Sequence, residues 1–276
     1  MIILLGEFLN NVRRKAPLVH NITNYVTVND CANILLACGA SPVMSDDIHE
    51  VEDITTIANG LNINIGTLNS RTVESMLVAG KKANELNHAV LLDPVGAGAS
   101  KYRTKTAFDL LNEVKFDVVR GNISEIKTLS NGFGSTHGVD ADVKDEITKE
   151  NIAIYVAFAK DLAFKLNTII AISGNIDIVA DSNAAYIITN GTKMMSKITG
   201  SGCMLSALTT AFIAANSFDK LAATVAAFCT MSIAGELAYE RMGKLDGNAS
   251  FRNYVIDAIF NMDNIQLETH ARYEKS

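Results

Sequence analysis

Short apolar runs alternate along the chain with longer segments in which apolar residues recur every three or four positions. Apolar runs of this length, bounded by turn residues, are typical of strands that are covered on both faces of a parallel sheet. The pattern predicts strands at 18–23, 40–45, 61–67, 88–94, 116–122 and 168–174. Strands that alternate with helices form βαβ units, so we expect an α/β fold with a large, mostly parallel central sheet and helices on both faces.

The longer periodic segments predict helices between and after these strands. Their approximate ranges are 7–15, 26–38, 71–86, 151–166, 202–215, 219–242 and 251–260. Gly39 follows the second helix and suits a left-handed C-terminal cap. Two further apolar runs, 177–181 and 184–191, are separated only by Ser182 and Asn183. This spacing predicts an antiparallel hairpin near one end of the sheet.

The patterning favours a single domain over residues 1–276, because no internal repeat and no Pro/Gly/Ser-rich linker is present. The last stretch, 262–276, is polar and lacks periodicity, so we expect it to be a frayed tail. Segment 129–145 is polar and rich in glycine. It has no predicted element, and one interpretation is a mobile flap near a bound nucleotide.

Composition narrows the classes of partner. Apolar residues make up 48% of the chain and charged residues 20%, which is typical of a globular protein. The net charge of −6 and the lack of a Lys/Arg cluster argue against nucleic acid or an anionic membrane as partner. The N-terminal sequence lacks the features of a signal peptide, and no apolar run approaches the length of a membrane span. The four cysteines form no CxxC pair, so we expect a cytoplasmic, reduced protein that acts on a small molecule.

The most informative motif is TGSGC at 199–203, which runs directly into an apolar helix. The glycines let a ligand approach the backbone, and the first N–H groups of a helix lack intrahelical partners. Phosphate groups bind at such helix N-termini. The same positive field favours a thiolate, so Cys203 is a candidate base beside a phosphate. The alternative is a tight helix entry followed by a small buried cysteine.

Other candidate groups follow the predicted strands, where ligands bind in open parallel sheets. Asp93 ends one strand and is a candidate Mg²⁺ ligand, or the start of an Asx-type turn. Arg120 ends the next strand and could contact phosphate. Asn122 and Glu125 lie three residues apart, which suits either magnesium chemistry or a helix capping box. Ser173, after the sixth strand, could border a nucleotide.

Seven motifs together resemble one family, the hydroxyethylthiazole kinases of the ribokinase-like superfamily. They are HNITN at 20–24, GASPVM at 39–44, NIGTL at 64–68, LLDPVGAGAS at 91–100, RGNISEI at 120–126, GVDA at 138–141 and TGSGCMLSA at 199–207. The resemblance extends from about 17 to 260. It implies a three-layer α/β/α ribokinase-like fold, and phosphoryl transfer from MgATP to the primary hydroxyl of 4-methyl-5-(2-hydroxyethyl)thiazole in thiamine salvage.

The resemblance also implies a role for each candidate residue. Cys203 would deprotonate or orient the substrate hydroxyl. The remaining assignments are Met44, Gly200 and Asn24 for the thiazole, Arg120 and Ser173 for ATP, and Asp93 and Glu125 for Mg²⁺. Members of the family are homotrimers whose thiazole pocket lies at the subunit interface, so a homotrimer is expected.

Three rival functions stay open at this point. The same fold could phosphorylate hydroxymethylpyrimidine or pyridoxal, although Cys203 in place of an aspartate argues against this. It could also catalyse the ATP-dependent dehydration that repairs hydrated nicotinamide nucleotides. A protein that binds thiazole or nucleotide without catalysis is disfavoured by the joint presence of Asp93, Glu125, Arg120 and the TGSGC motif.

Overall fold

The computed structural model describes residues 4–132 and 146–276. Within these residues, nine strands form one sheet. They are β1 (Leu18–Ile22), β2 (Ser41–Met44), β3 (Gly60–Asn64), β4 (Ala89–Asp93), β5 (Val118–Asn122), β6 (Ile169–Ser173), β7 (Asp177–Ala180), β8 (Ala185–Ile188) and β9 (Tyr273–Lys275). Their order across the sheet is β2-β1-β3-β4-β5-β6-β7-β8-β9. The six predicted strands and the predicted hairpin are all present.

The helices of the described residues fall between and after these strands. They are α1 (Leu5–Lys15), α2 (Val28–Cys38), α3 (Val51–Ile57), α4 (Ser70–Glu85), α5 (Lys101–Glu113), α6 (Ile123–Asn131), α7 (Ile152–Leu166), α8 (Ser201–Ala215), α9 (Lys220–Arg241), α10 (Asn248–Asn261) and α11 (Asn264–His270). A short 3-10 helix covers Lys193–Lys197. Gly39 has φ 92° and caps α2 in the left-handed region, as predicted.

The sheet separates two apolar cores, which gives the predicted α/β/α layering. One core joins α1, α2, α8, α9 and α10 to one face of the sheet, and the other joins α4, α5, α6 and α7 to the opposite face. Side chains alternate between the two cores along a strand. In β4, Leu91 belongs to the first core, whereas Val90 and Leu92 belong to the second. Covering on both faces explains why the strands are continuous apolar runs.

Strand direction changes at one end of the sheet. Strands β1 to β6 pair in parallel, whereas β7, β8 and β9 pair antiparallel to their neighbours. The β7–β8 turn is held by Asp181, whose Oδ1 accepts hydrogen bonds from the backbone N–H groups of Asn183 and Ala184. The sheet is therefore mostly parallel with an antiparallel end, which confirms the predicted fold class.

The prediction of a frayed tail over 262–276 is wrong. Helix α11 begins with a capping box between Asp263 and Gln266, and its Leu267 is buried. Strand β9 then pairs with β8 at the edge of the sheet. The pattern did not predict this segment because a short edge strand and a one-sided helix carry few apolar residues. The proposed flap, apart from residues 129–132 at the end of α6, lies outside the described residues.

Contrary to the expectation that no apolar run approaches the length of a membrane span, helix α9 is long and apolar enough to cross a membrane by length and composition alone. However, 83% of its most apolar stretch is buried inside the protein. It packs against α8 and α10 and against the antiparallel end of the sheet. Its composition is therefore that of a core helix.

A buried histidine links β1 to the loop that follows β2. His20 is fully buried, its Nε2 donates to the carbonyl oxygen of Ser45 at 2.9 Å, and its Nδ1 lies 3.0 Å from Thr55 Oγ1. Burial lowers the pKa of His20, while the Ser45 hydrogen bond and the charge of Glu50 partly oppose this shift. The folded state therefore favours the neutral imidazole.

This shift predicts that stability decreases as the pH falls below 6.5, the ordinary pKa of histidine. Between pH 6.5 and the lower pKa of His20 in the folded state, the unfolded chain binds a proton that the folded chain does not. The free energy of unfolding therefore decreases by up to about 1.4 kcal/mol for each pH unit in this range. Urea denaturation at about pH 7.5 and about pH 5.5 measures the loss. We expect wild type to lose more stability than His20→Gln. The control is His49→Gln, at an exposed position, which should lose as much stability as wild type. Equal losses in wild type and His20→Gln would contradict the assignment.

Candidate active site

The strand order creates a crevice between β1 and β3. Strand β2 lies on one side of β1, and β3 lies on the other. The connection from β1 to β2 and the connection from β3 to β4 therefore run in opposite directions across the sheet. Helix α2 follows β1 on one face of the sheet, and α4 follows β3 on the opposite face. Ligands bind at such switch points, outside the carboxyl ends of the strands.

Helix α8 begins at this edge of the sheet and contacts β1, β3 and β4. Its N-cap is Gly200, which has φ 81°, and no side chain caps this helix end. A Cβ at Gly200 would lie 2.6 Å from Thr27 Cγ2, and one at Gly202 would lie 2.7 Å from Arg120 Nη1. The two glycines thus let the helix terminus approach the loop after β1 and the end of β5 more closely than any other residue could.

The carboxylate of Asp93 lies at the centre of the site and is fully buried. Its Oδ2 accepts hydrogen bonds from Asn64 Nδ2 and Ser206 Oγ, each at 2.8 Å, and faces Arg120 Nη1 at 3.5 Å. Its Oδ1 has no hydrogen-bond partner among the described residues. Burial raises the pKa of Asp93, and Arg120 and the two hydrogen bonds lower it. An unpartnered buried carboxylate oxygen is well suited to a cation.

Arg120 joins the ends of β4 and β6. Besides facing Asp93, its Nη2 donates to Ser173 Oγ. Its Nε is buried and has no partner among the described residues. This contact brings together the two residues that the resemblance assigns to ATP. The guanidinium adjoins Gly202 at the N-terminus of α8, so two groups that favour anions lie side by side.

Cys203 lies in the first turn of α8 and is half-buried. Its Sγ accepts hydrogen bonds from Asn24 Nδ2 at 3.1 Å and Asn64 Nδ2 at 3.3 Å. The expected thiolate-favouring environment is not found. Burial raises the pKa of Cys203, the charge of Asp93 raises it further, and the contacts with Thr27 and Asn24 only partly compensate. The expectation considered the helix field alone, and the tertiary structure adds desolvation and a like charge.

Glu125 is engaged in capping α6. Its Oε2 accepts from the backbone N–H of Asn122 while Asn122 Oδ1 accepts from the N–H of Glu125, so the capping-box interpretation is confirmed. The other oxygen, Oε1, accepts from Gly96 N at 2.8 Å, in the turn after Asp93. Burial, and then the Asp93 charge, raise the pKa of Glu125. The two carboxylates are thus close enough to repel each other.

A cavity of about 270 Å³ opens beside these groups at the β1/β3 crevice. Met44, at the end of β2, lines it together with Asn64, Tyr25 and Val28. Asn24 and Gly200 lie behind the cavity wall: Asn24 hydrogen-bonds to Asn64, and Gly200 packs against Thr27.

Three polar residues of this region were not assigned from the sequence. Asn64 ends β3, but the predicted strand continued to residue 67, so the strand-end rule that selected Asp93 passed over it. Ser206 is one helical turn beyond Cys203 and therefore shares its face. Asp177 gave no sequence signal: it is a buried carboxyl that accepts from Gly174 N, beside Ser173, and burial raises its pKa to about 7.

The fold and the comparisons together place the chain among small-molecule phosphotransferases with the ribokinase-like fold. A pyridoxal kinase structure from Staphylococcus aureus matches 94% of this chain and 97% of its own with a TM-score of 0.62 and 15% identity, which shows a shared fold. The chain belongs to the hydroxyethylthiazole kinase family, whose model matches residues 9–265. It is 61% identical to the hydroxyethylthiazole kinase of Clostridium acetobutylicum over 98% of this chain and 99% of that one. A hydroxyethylthiazole kinase structure from Pyrococcus horikoshii superposes over both full chains with a TM-score of 0.88 and 37% identity.

Gly200→Ala should destabilise the protein by about 1–3 kcal/mol, because alanine is disfavoured at positive φ and its Cβ would overlap Thr27. Urea denaturation at neutral pH measures this loss. The matched control is Gly247→Ala, since a Cβ at Gly247 meets nothing within 4 Å and this residue has negative φ. If both variants unfold at the wild-type midpoint, the close approach at Gly200 is not required for the fold.

Proposed function

We propose that this protein transfers the γ-phosphoryl group of ATP to the primary hydroxyl of 4-methyl-5-(2-hydroxyethyl)thiazole, which returns the thiazole to thiamine synthesis. The observation that carries the proposal is the position of Cys203: its thiol lies at the N-terminus of α8, beside the Asp93–Arg120 group and next to the Met44 cavity. Acceptor, phosphoryl group and donor therefore have adjacent sites at one edge of the sheet.

The backbone amides from Gly200 to Cys203 are assigned to the transferring phosphoryl group. They belong to a helix terminus that no side chain caps, and the helix dipole adds positive potential. Arg120 lies against Gly202 and contributes a full positive charge. Phosphoryl transfer depends mainly on alignment and charge stabilisation, which these groups supply.

Cys203 is assigned to the substrate hydroxyl, which it orients and from which it removes the proton. The raised pKa of Cys203 keeps the resting side chain as a thiol, so the proton is accepted by the minor thiolate form, which a raised pKa makes the more basic. Because the hydroxyl proton leaves late in a loose, dissociative transition state, a large thiolate fraction at rest is not required. Asn24 holds the sulfur from the β1 side, and Met44 provides an apolar contact for the ring.

Asp93 and Glu125 are assigned to Mg²⁺. Asp93 Oδ1 has no other partner among the described residues, and the charge of Glu125 lies nearby. No group of three or more His, Cys, Asp or Glu side chains forms a metal cluster within 4–132 and 146–276. One or two carboxylates together with substrate phosphates and water are a typical Mg²⁺ environment. When bound there, the ion would neutralise phosphate charge and orient the phosphoryl group.

The remaining assignments concern ATP and assembly. Ser173 and Arg120, at the ends of β6 and β5, are proposed to contact ATP. We also propose a single domain, because one sheet includes strands from both ends of the chain. The protein is further proposed to be a cytoplasmic homotrimer. The exposed Tyr25 and Val26 beside the cavity support a subunit contact that completes the thiazole pocket.

A coupled ADP-release assay with MgATP tests the function. We expect selective turnover of hydroxyethylthiazole over hydroxymethylpyrimidine and pyridoxal, a product mass that corresponds to the phosphate ester, and loss of turnover in EDTA that added Mg²⁺ reverses. Preferred turnover of another alcohol would contradict the substrate. Loss of water from a hydrated nicotinamide nucleotide, or ligand binding without ADP release, would contradict the reaction.

Cys203→Ala should lower kcat by about 10- to 100-fold without abolishing it, because the amides, Arg120 and the metal retain most of the charge stabilisation. Cys203→Asp should retain activity, because a carboxylate can accept the same proton. Steady-state kinetics on hydroxyethylthiazole measures both variants. Cys229→Ala removes a fully buried thiol of α9 and serves as the control, expected within about threefold of wild type. If neither substitution at Cys203 alters turnover, the thiol is not the base.

A further inference from the structure

Asn64 occupies the junction between the two halves of the site. It is the last residue of β3, only 1% exposed, and its strand partner in β4 is Asp93. Its amide reaches four neighbours: Oδ1 accepts from Gly66 N at 2.9 Å and Asn24 Nδ2 at 3.0 Å, while Nδ2 donates to Asp93 Oδ2 and Cys203 Sγ. Thiol and carboxylate are thus connected through one side chain.

The orientation of this amide is fixed by its surroundings. A backbone N–H can only donate, so the atom that faces Gly66 must be the oxygen. The opposite atom faces the Asp93 carboxylate, which accepts, so it must be the nitrogen. Gly66 also permits the close approach, because a Cβ there would lie 2.9 Å from Asn64 Oδ1 and 3.0 Å from Asn24 Nδ2.

The hydrogen-bonding capacity of Asn64 is fully used. A primary amide has two N–H donors and an oxygen that accepts two bonds, and each has a partner inside the protein. Although Asn64 lines the cavity, it has no donor or acceptor left for a substrate. Its N–H groups lie between the electron-rich sulfur of Cys203 and the Asp93 carboxylate, where they separate two groups that would otherwise repel each other.

We propose that Asn64 is a positioning residue for phosphoryl transfer: its amide sets the distance between the Cys203 thiol and the Asp93 carboxylate, and thereby aligns the acceptor hydroxyl with the phosphoryl group. This inference rests on the proposed function. Aspartate at this position would keep both acceptor contacts but lose both donors, and leucine would lose all four. The role therefore requires an amide of this length.

The test compares Asn64→Ser with Asn62→Ser in steady-state kinetics with ATP and hydroxyethylthiazole. Asn62 is a matched control: it lies on the same face of β3, is fully buried and donates to Asn21 Oδ1, but it makes no hydrogen bond to Asp93 or Cys203. Because misplacement of reacting groups lowers kcat more than binding, Asn64→Ser should reduce kcat by about 10- to 100-fold with both KM values within about threefold. Asn62→Ser should keep kcat within about threefold of wild type.

A double-mutant cycle distinguishes an effect on the position of the thiol from a nonspecific loss of activity. In the Cys203→Ala background, Asn64→Ser should lower kcat by less than about threefold, because the sulfur that it positions is gone. If Asn64→Ser does not fold, as judged by its thermal transition, Asn64→Gln replaces it because it keeps an uncharged amide and displaces it by one methylene.

Three results would overturn the inference. They are an Asn64 variant with near wild-type kcat, an equal loss in Asn62→Ser, and a full loss from Asn64→Ser in the Cys203→Ala background. A wild-type protein that does not phosphorylate hydroxyethylthiazole would instead overturn the proposed function, and this inference with it. Wild-type turnover with an unaffected Asn64 variant would overturn the inference alone.

Discussion

The rest of the site depends on one constraint, the burial of the Asp93 carboxylate at the carboxyl edge of the sheet. A carboxylate without solvent is very unfavourable unless donors or a cation surround it, and removing one partner of a buried charge typically costs about 3–5 kcal/mol. The fold supplies these partners from three elements: Asn64 from β3, Arg120 from β5 and Ser206 from α8. Each partner is in turn fixed by further contacts, so the geometry of the site follows from the need to stabilise one charge.

The same constraint explains why the thiol is less acidic than its place on α8 suggests. A helix N-terminus favours a thiolate, but Cys203 is desolvated and close to the Asp93 charge. The site therefore combines a base that is mostly protonated at rest with strong charge stabilisation. This balance suits a reaction in which proton removal contributes little to the barrier and phosphate charge contributes much.

Strand patterns and strand ends could be predicted from the sequence with good accuracy. The apolar runs predicted β1 to β8, Gly39 was identified as a helix cap, and the strand-end rule selected Asp93, Arg120 and Ser173. The C-terminal segment was mispredicted because its stability comes from partners remote in sequence: β9 is an edge strand that exists only beside β8. A short edge strand carries too few apolar residues to show the alternating pattern from which a strand is predicted.

The sequence by itself determined the fold class, the identity of the family and the residue types available for chemistry, because these follow from local patterns and short motifs. Only the tertiary structure decided how those residues act on one another. It placed Asn64 between Cys203 and Asp93, brought Glu125 Oε1 to the backbone N–H of Gly96, and raised the pKa of the thiol. Burial and the distance between charges arise when strands and helices far apart in the chain pack together, and no local pattern encodes them.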